Sequence, residues 1–392
     1  MKIKALTAHP ILDSRGEWTV EVALTLANGA SVTASVPQGK SIGSHEAETV
    51  SAAQAVANIM KYIAPKLRGQ DPRKQRGIDE LLRLIDGTPT KRRLGGNAIL
   101  AVSIACVKAA ALAEGKPLWK YLRRIAHPSL SLGTSGPRLF INVINGGLHA
   151  GNNLDFQEYL VIPKTKILRE SVVMGERIYH ALAKELKQSK GRNALNVGDE
   201  GGFAPSFKNN QEPFEMLARV VRSLGYAKKV DFGMDAAASD VKMSHRKLVA
   251  FYKTLVRRYP FIYLEDPFGE EAFIEFRELR NELSKKLWVA GDDLTTTNVK
   301  RMEKAYANQS VNAVIIKPNQ IGTVTEAIDA VRMARKHNWA VVVSHRSGET
   351  NDAFIADFAV GIGADGFKLG APARGERIAK YNRLLEIEEE AR

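Results

Sequence analysis

Three carboxylates and one amine stand at the ends of successive apolar runs: Asp235 after VDFGM, Glu265 after FIYL, Asp292 after LWVAG and Lys317 after AVII. Each run is short and rich in β-branched or aromatic residues, the composition of a buried strand. Side chains at the ends of neighbouring strands converge, and converging carboxylates raise one another's pKa unless a cation neutralises them. A hard divalent cation does so, and an all-oxygen donor set favours magnesium. A single acid at such a place caps the next helix equally well; three in succession, with a lysine on the next unit, favour the metal. Lys317 precedes Pro318, which cannot continue a central strand. Burial, a bound dication and a second lysine, Lys368, all disfavour its ammonium form, which suits the amine to act as a base. The alternative is a structural ion pair with one of the carboxylates. A lysine base beside a dication removes a weakly acidic proton next to a carboxylate, and the metal stabilises the enolate-like intermediate. Asp199, Glu200, His345 and Arg346 occupy similar run-end positions.

The elements that must hold these side chains are legible in the rest of the chain. FINVING, EYLVIP, ALNVGDEGG, VDFGMDAA, FIYLEDPF, LWVAGDDLT, AVIIKPNQ, AVVVSHRSGE and GFKLGAPA are short apolar runs ending in polar residues, and helix-like segments such as TEAIDAVRMARKH lie between several of them. Repeated strand–helix units imply a parallel sheet, and eight of them close into a TIM-like (β/α)8 barrel with its active site at the C-terminal strand ends. One of the nine runs is therefore an extra strand or a loop, and NALNVGDEGG is the one we assign so. Ahead of the barrel, WTVEVALTLANGASVTASV alternates about an ANGA turn and reads as a hairpin, while residues 46–64 and 97–125 have helical periodicity. This is an α+β domain, expected over 1–130, with the barrel over 131–392 and AHPSLSLGTSGPR (126–138) as linker. GIGADG (361–366) matches a dinucleotide-binding spacing by letter, but a helix-like run precedes it and a strand follows, the reverse of what that fingerprint needs.

Composition narrows the class. A chain of 392 residues with 44% hydrophobic and 26% charged content buries a sizeable core. No apolar run approaches the roughly 18 residues of a membrane span, and the N-terminal stretch lacks a signal-peptide centre. The single Cys106 lies in an apolar helix-like run as a buried small hydrophobe, and one cysteine makes no internal disulfide, in keeping with a reducing cytoplasm. The net charge of +14 draws on KLRGQDPRKQRG (66–77) and KRR (91–93). Without interleaved aromatics or a binding-module signature these clusters read as solvated surface rather than a nucleic-acid face.

ILDSRGEWTVEV, GSHEA, GGNAILAVSIA, NVINGGLHAGN, QEYLVIP, VGDEGGFAP, GMDAAAS, EDPF, GDDLTTTN, IIKPNQIGT, SHRSGET and APARGERIAKYN follow one another in the order found in the enolases, and the chain resembles that family from about residue 4 to its C-terminus. The resemblance implies an enolase-type barrel, ββαα(βα)6, and magnesium-dependent dehydration of 2-phosphoglycerate to phosphoenolpyruvate, a Lys or His base with one or two magnesium ions being general to that superfamily. It implies that Asp235, Glu265 and Asp292 hold the first magnesium, that Lys317 takes the C2 proton and that Glu200 protonates the departing hydroxyl. Glu158 and Gln157 assist at the acid side, with His149 near the leaving group or phosphate. Lys368 pairs with the substrate carboxylate, Arg346 and Ser347 hold the phosphate, and His345 lines the same pocket. Ser41 reaches a second magnesium that arrives with substrate. A homodimer or larger assembly is also implied. The loop VPQGKSIGSHEA departs from the family's usual VPSGASTGEHEA at Gln38, Lys40, Ile42 and Ser44, and GEWTVEV replaces GNPTVEV in the expected subunit-contact region. Two other readings are a superfamily relative acting on an unphosphorylated acid and a non-catalytic polyanion-binding paralogue.

Overall fold

The computed structural model describes residues 1–40, 43–126, 136–283 and 286–392. Ser41, Ile42 and most of the expected linker (127–135) lie outside the described residues. Strands β1 (Ile3–Leu12), β2 (Trp18–Leu26) and β3 (Ser31–Ser35) form an antiparallel sheet in that order. The alternation in β2 sends Val20, Val22, Leu24 and Leu26 into the core. That face packs on helix Gly96–Ala113, which is apolar on nearly every side and mostly buried. At 18 residues this helix is as long and apolar as a membrane span, so the expectation that no run approaches that length is corrected. Its burial inside the protein accounts for its composition. Cys106 lies on it, buried and unpaired.

Eight strands close the barrel: β4 (Arg138–Asn145), β5 (Glu158–Pro163), β6 (Val230–Asp235), β7 (Phe261–Glu265), β8 (Trp288–Gly291), β9 (Ala313–Ile316), β10 (Ala340–Ser344) and β11 (Gly366–Lys368). Their order around the ring is β10-β11-β4-β5-β6-β7-β8-β9. Phe140, Leu160, Ile162, Tyr263, Ala290, Ala313, Ile315 and Val342 fill the interior, and the alternate residues of the same strands face the helices. The segment NALNVGDEGG is a loop with isolated bridges, as expected, and adds no barrel strand. The sheet is not wholly parallel: β5 runs antiparallel to both β4 and β6. The chain between β4 and β5 is a short loop without a crossover helix, and a short connection can only reverse direction. GIGADG lies between helix Phe354–Gly361 and β11, the order that excludes a dinucleotide site.

Buried polar groups join the N-terminal helices to the barrel. Asp79, on helix Gln75–Asp86, accepts from Ser103 Oγ (2.7 Å) and from the backbone N–H of Thr325 (2.9 Å), in the first turn of helix Val324–Lys336. The Ala47 N–H donates to the Gln320 carbonyl at 2.7 Å, tying the N-terminal loop to the chain just beyond Lys317.

Candidate active site

The strand ends bring most of the expected residues to one rim. Asp235 and Glu265 are in register at the ends of β6 and β7, Asp292 follows β8, Lys317 follows β9, and Lys368 ends β11. The reversal of β5 places its first residue, Glu158, on this same rim, opposite both Asp235 and Asn145. Two loops complete the site. The segment between β4 and β5 carries His149 and Gln157, and the loop after Arg192–Leu195 carries Asp199 and Glu200. His149, Gln157, Glu158, Glu200, Asp235, Asp292, Lys317, His345, Arg346, Ser347 and Lys368 line one cleft, while Glu265 lies fully buried beneath it.

The expected three-carboxylate cluster is divided between two lysines. Lys368 Nζ donates to Glu158 Oε1 (3.0 Å), Asp235 Oδ2 (3.0 Å) and Glu265 Oε1 (2.8 Å). Lys317 Nζ pairs with Asp292 Oδ2. Among the described residues, ligating atoms come within 4.8 Å of one another in the groups His149–Glu158–Glu200 and Asp266–Asp292–Asp293; Asp235, Glu265 and Asp292 do not form such a group. Burial works against the ammonium of Lys317, as do Arg346 and Lys368, but Asp292 outweighs them and holds its pKa above the usual lysine value. Burial likewise opposes the Lys368 charge, yet Asp235, Glu158 and Glu265 raise its pKa well above normal. Glu265 is pushed up to about 8 by burial and by Asp235. The Tyr263 hydroxyl donates to its Oε2 at 2.6 Å.

The acid side is asymmetric. Burial raises Glu158 well above the carboxylate range, and the Glu200 charge adds to the effect. Glu158 Oε2 has no hydrogen-bond partner. Burial also acts against the Glu200 charge, but His345, His149 and Lys368 hold its pKa well below normal. Asn142 Nδ2 donates to Glu200 Oε2 at 2.8 Å, while His149 Nδ1 and His345 Nε2 both stand 3.4 Å from Oε1. Arg377 donates to His345 Nδ1 at 2.7 Å, so the ring proton of His345 sits on Nε2 and faces Glu200. Gly370, at φ +79°, passes so close that a Cβ would lie 2.8 Å from the Glu200 carbonyl and 3.0 Å from the His345 ring.

The expected phosphate ligands are engaged within the protein. Arg346 Nη1 and Nη2 donate to Glu46 at 2.8 and 3.1 Å, and Nη1 also reaches Asn319 Oδ1 at 3.3 Å. Ser347 Oγ accepts from the Lys40 N–H at 2.8 Å. Gln157 Nε2 donates to Asp235 Oδ2 at 3.3 Å. In the altered loop, Gln38 pairs with Gly348 through backbone alone, Lys40 Nζ meets Asp199 Oδ2 at 3.2 Å, and Ser44 Oγ donates to Glu270 at 2.6 Å. Asn142, Tyr263, Glu46, Asp266 and Arg377 belong to the site and were not singled out from sequence. Asn142 and Tyr263 are polar atoms inside apolar strands, a signal that could have marked them.

An acid pair opposite a buried lysine, with three strand-end carboxylates between, invites comparison with known proteins. Residues 3–122 match the family model "Enolase, N-terminal domain", and residues 135–245 and 239–392 match "Enolase, C-terminal TIM barrel domain". The chain belongs to the enolase family. It is 43% identical to an enolase of Methanocaldococcus jannaschii over 99% of this chain and 95% of that one. An enolase of Thermococcus gammatolerans is 44% identical and one of tomato, Solanum lycopersicum, 42%, each over 99% of this chain and 95% of the relative. This near-complete coverage makes the chain an enzyme of the enolase family.

A metal cofactor fits the residues present. The donors are all carboxylate oxygens on adjacent strand ends, the set a hard cation takes. Four buried carboxylates, Glu158, Asp235, Glu265 and Asp292, stand against the two ammonium groups of Lys317 and Lys368, so by formal charge the site has room for a cation.

Proposed function

We propose that the chain catalyses the reversible, magnesium-dependent dehydration of 2-phosphoglycerate to phosphoenolpyruvate, as a cytoplasmic homo-oligomer with domains over 1–130 and 131–392. The observation that carries this reading is the placement of base and acid. In the ring of eight strands β5 lies four positions from β9, so Lys317 comes from the wall opposite Glu158, and the expected acid Glu200 lies within 4.8 Å of Glu158. A substrate lying between them has its proton removed on one face and its leaving group protonated on the other, as an anti elimination requires.

Asp235, Glu265 and Asp292 would hold magnesium, which would neutralise the carboxylates and stabilise the charge that develops on the substrate carboxylate. With both Asp292 and Glu265 so engaged, burial, Arg346 and Lys368 would act on Lys317 with less opposition and would favour the neutral amine that takes the C2 proton. Glu158 and Glu200 act as the acid pair. Glu158 holds the proton at rest, and His149, His345 and Asn142 keep Glu200 charged beside it. Their shared proton goes to the C3 hydroxyl as it leaves. Lys368 turns to the substrate carboxylate, Gln157 assists Glu158 at the acid side, and Arg346 and Ser347 take the phosphate. A second magnesium arriving with substrate, and Ser41 as its ligand, belong to the same proposal.

Replacement of Lys317 by Ala tests it. The variant is expected to fold, to lose turnover by at least about a thousandfold and to stop exchanging the substrate C2 proton with deuterated solvent. Turnover near that of the unaltered chain would remove Lys317 from the role of base.

A further inference from the structure

Two side chains with no part in the proposed chemistry close a hydrogen-bonded ring beneath it. The Lys317 backbone N–H donates to Thr297 Oγ1 at 2.9 Å, and that hydroxyl donates to Gln320 Oε1 at 2.8 Å. Gln320 Nε2 donates to Asp292 Oδ1 at 2.9 Å, and Asp292 Oδ2 takes the Lys317 ammonium. Each link has one sense. The Asp292 carboxylate can only accept, so the Gln320 amide NH2 faces it and the amide oxygen faces Thr297, whose hydroxyl therefore donates. Thr297 and Gln320 are fully buried, so no water substitutes for either bond.

The backbone at Thr297 indicates that this hydroxyl is there for a reason. Thr296 and Thr297 have φ of +45° and +53°, the left-handed region that β-branched residues rarely enter, at about 1–3 kcal/mol each. A glycine would adopt that conformation without strain but would bring no hydroxyl. The loop is wound by the N–H groups of Thr295 and Thr296 donating to the Asp292 carbonyl at 3.0 and 2.7 Å. This winding turns Thr297 inward beneath Lys317.

We propose that Thr297 and Gln320 are positioning residues: the ring fixes the Asp292 carboxylate and the Lys317 amine relative to each other, so that Asp292 serves the metal while Lys317 serves the substrate proton. The inference rests on the roles given above to Asp292 and Lys317. Thr297→Val removes the hydroxyl at nearly constant shape, and Thr297→Ser keeps it. Magnesium affinity is read by calorimetry without substrate, alongside kcat and KM for 2-phosphoglycerate. In Thr297→Val the magnesium dissociation constant rises about tenfold and kcat falls roughly 10- to 100-fold with KM within about twofold, and Thr297→Ser restores both to within about threefold. Gln320→Met has the same effect as Thr297→Val. If Thr297→Val does not fold, Thr297→Gly, which takes the positive φ freely, carries the test. A purely structural role lowers thermal stability and leaves magnesium affinity and kcat unchanged, and that result overturns the proposal. Failure of the underlying reading looks different, because Lys317→Ala would then retain turnover. The ring alone has failed when Lys317→Ala is inactive while folded Thr297→Val binds magnesium and turns over like the unaltered chain.

Discussion

The imidazole of His345 lies between Arg377, which donates to Nδ1, and Glu200, which faces Nε2, and burial lowers its pKa from 6.5 to about 4. At pH above 6.5 neither the folded nor the unfolded state protonates it. Between 6.5 and about 4 the unfolded chain takes up a proton that the folded chain does not, so stability falls as pH falls. The expected loss is about 3 kcal/mol over that window, at 1.36 kcal/mol for each pKa unit. Urea unfolding of the unaltered chain and of His345→Gln at pH 7 and pH 4.5 measures it. The stability difference between the two proteins should narrow or reverse as pH drops, and a constant difference would mean that His345 is not held neutral. Lys317 shows what residue-level reading reaches and where it stops. Its place after β9 followed from the apolar run and the proline behind it. Its charge state did not, because that depends on Asp292 lying within ion-pair distance, and spacing along the chain does not give distances across a barrel.

At the scale of elements, the barrel strands could be read from their apolar runs, but one direction could not. Repeated strand–helix units suggest parallel strands, and β5 breaks the rule because no helix precedes it. Reading only C-terminal strand ends therefore misses Glu158, which reaches the rim from the start of a reversed strand. It entered the sequence-based site through family resemblance alone. The altered loop invites a prediction of its own. Gln38 is held by backbone bonds that any residue can make, whereas Lys40 forms a half-exposed ion pair with Asp199 beside the acid pair. Exposed pairs contribute about 0–1 kcal/mol and weaken in salt. Exchange of Gln38 for Ser and Lys40 for Ala should change kcat or KM by no more than about fivefold, with most of that difference gone at high salt. The product should stay the same. A change of substrate preference in this double variant would show that the loop selects substrate.

Taken whole, the molecule suspends a cleft rich in carboxylates inside a chain of net charge +14. Of the basic clusters, Lys66, Arg68, Arg73, Lys74, Arg76, Arg92 and Arg93 are exposed, whereas Lys91, expected as solvated surface, is buried and paired with Glu326; an exposed basic face of this kind attracts anions in general. Helix Gly96–Ala113, apolar enough to span a membrane, is instead the core on which the first sheet and the neighbouring helices pack. Asp79 joins those helices to helix Val324–Lys336, and the Ala47–Gln320 bond ties the loop carrying Glu46, the partner of Arg346, to the chain just after Lys317. The N-terminal elements therefore help to build the site as well as to cover it. The most direct test of the account is an assay of the purified chain with 2-phosphoglycerate, following phosphoenolpyruvate by its ultraviolet absorbance with magnesium and after its removal by chelation. Product is expected only with magnesium, regained when the ion is restored. Folded protein that makes no phosphoenolpyruvate with magnesium present, or makes it equally well without any divalent ion, would contradict it.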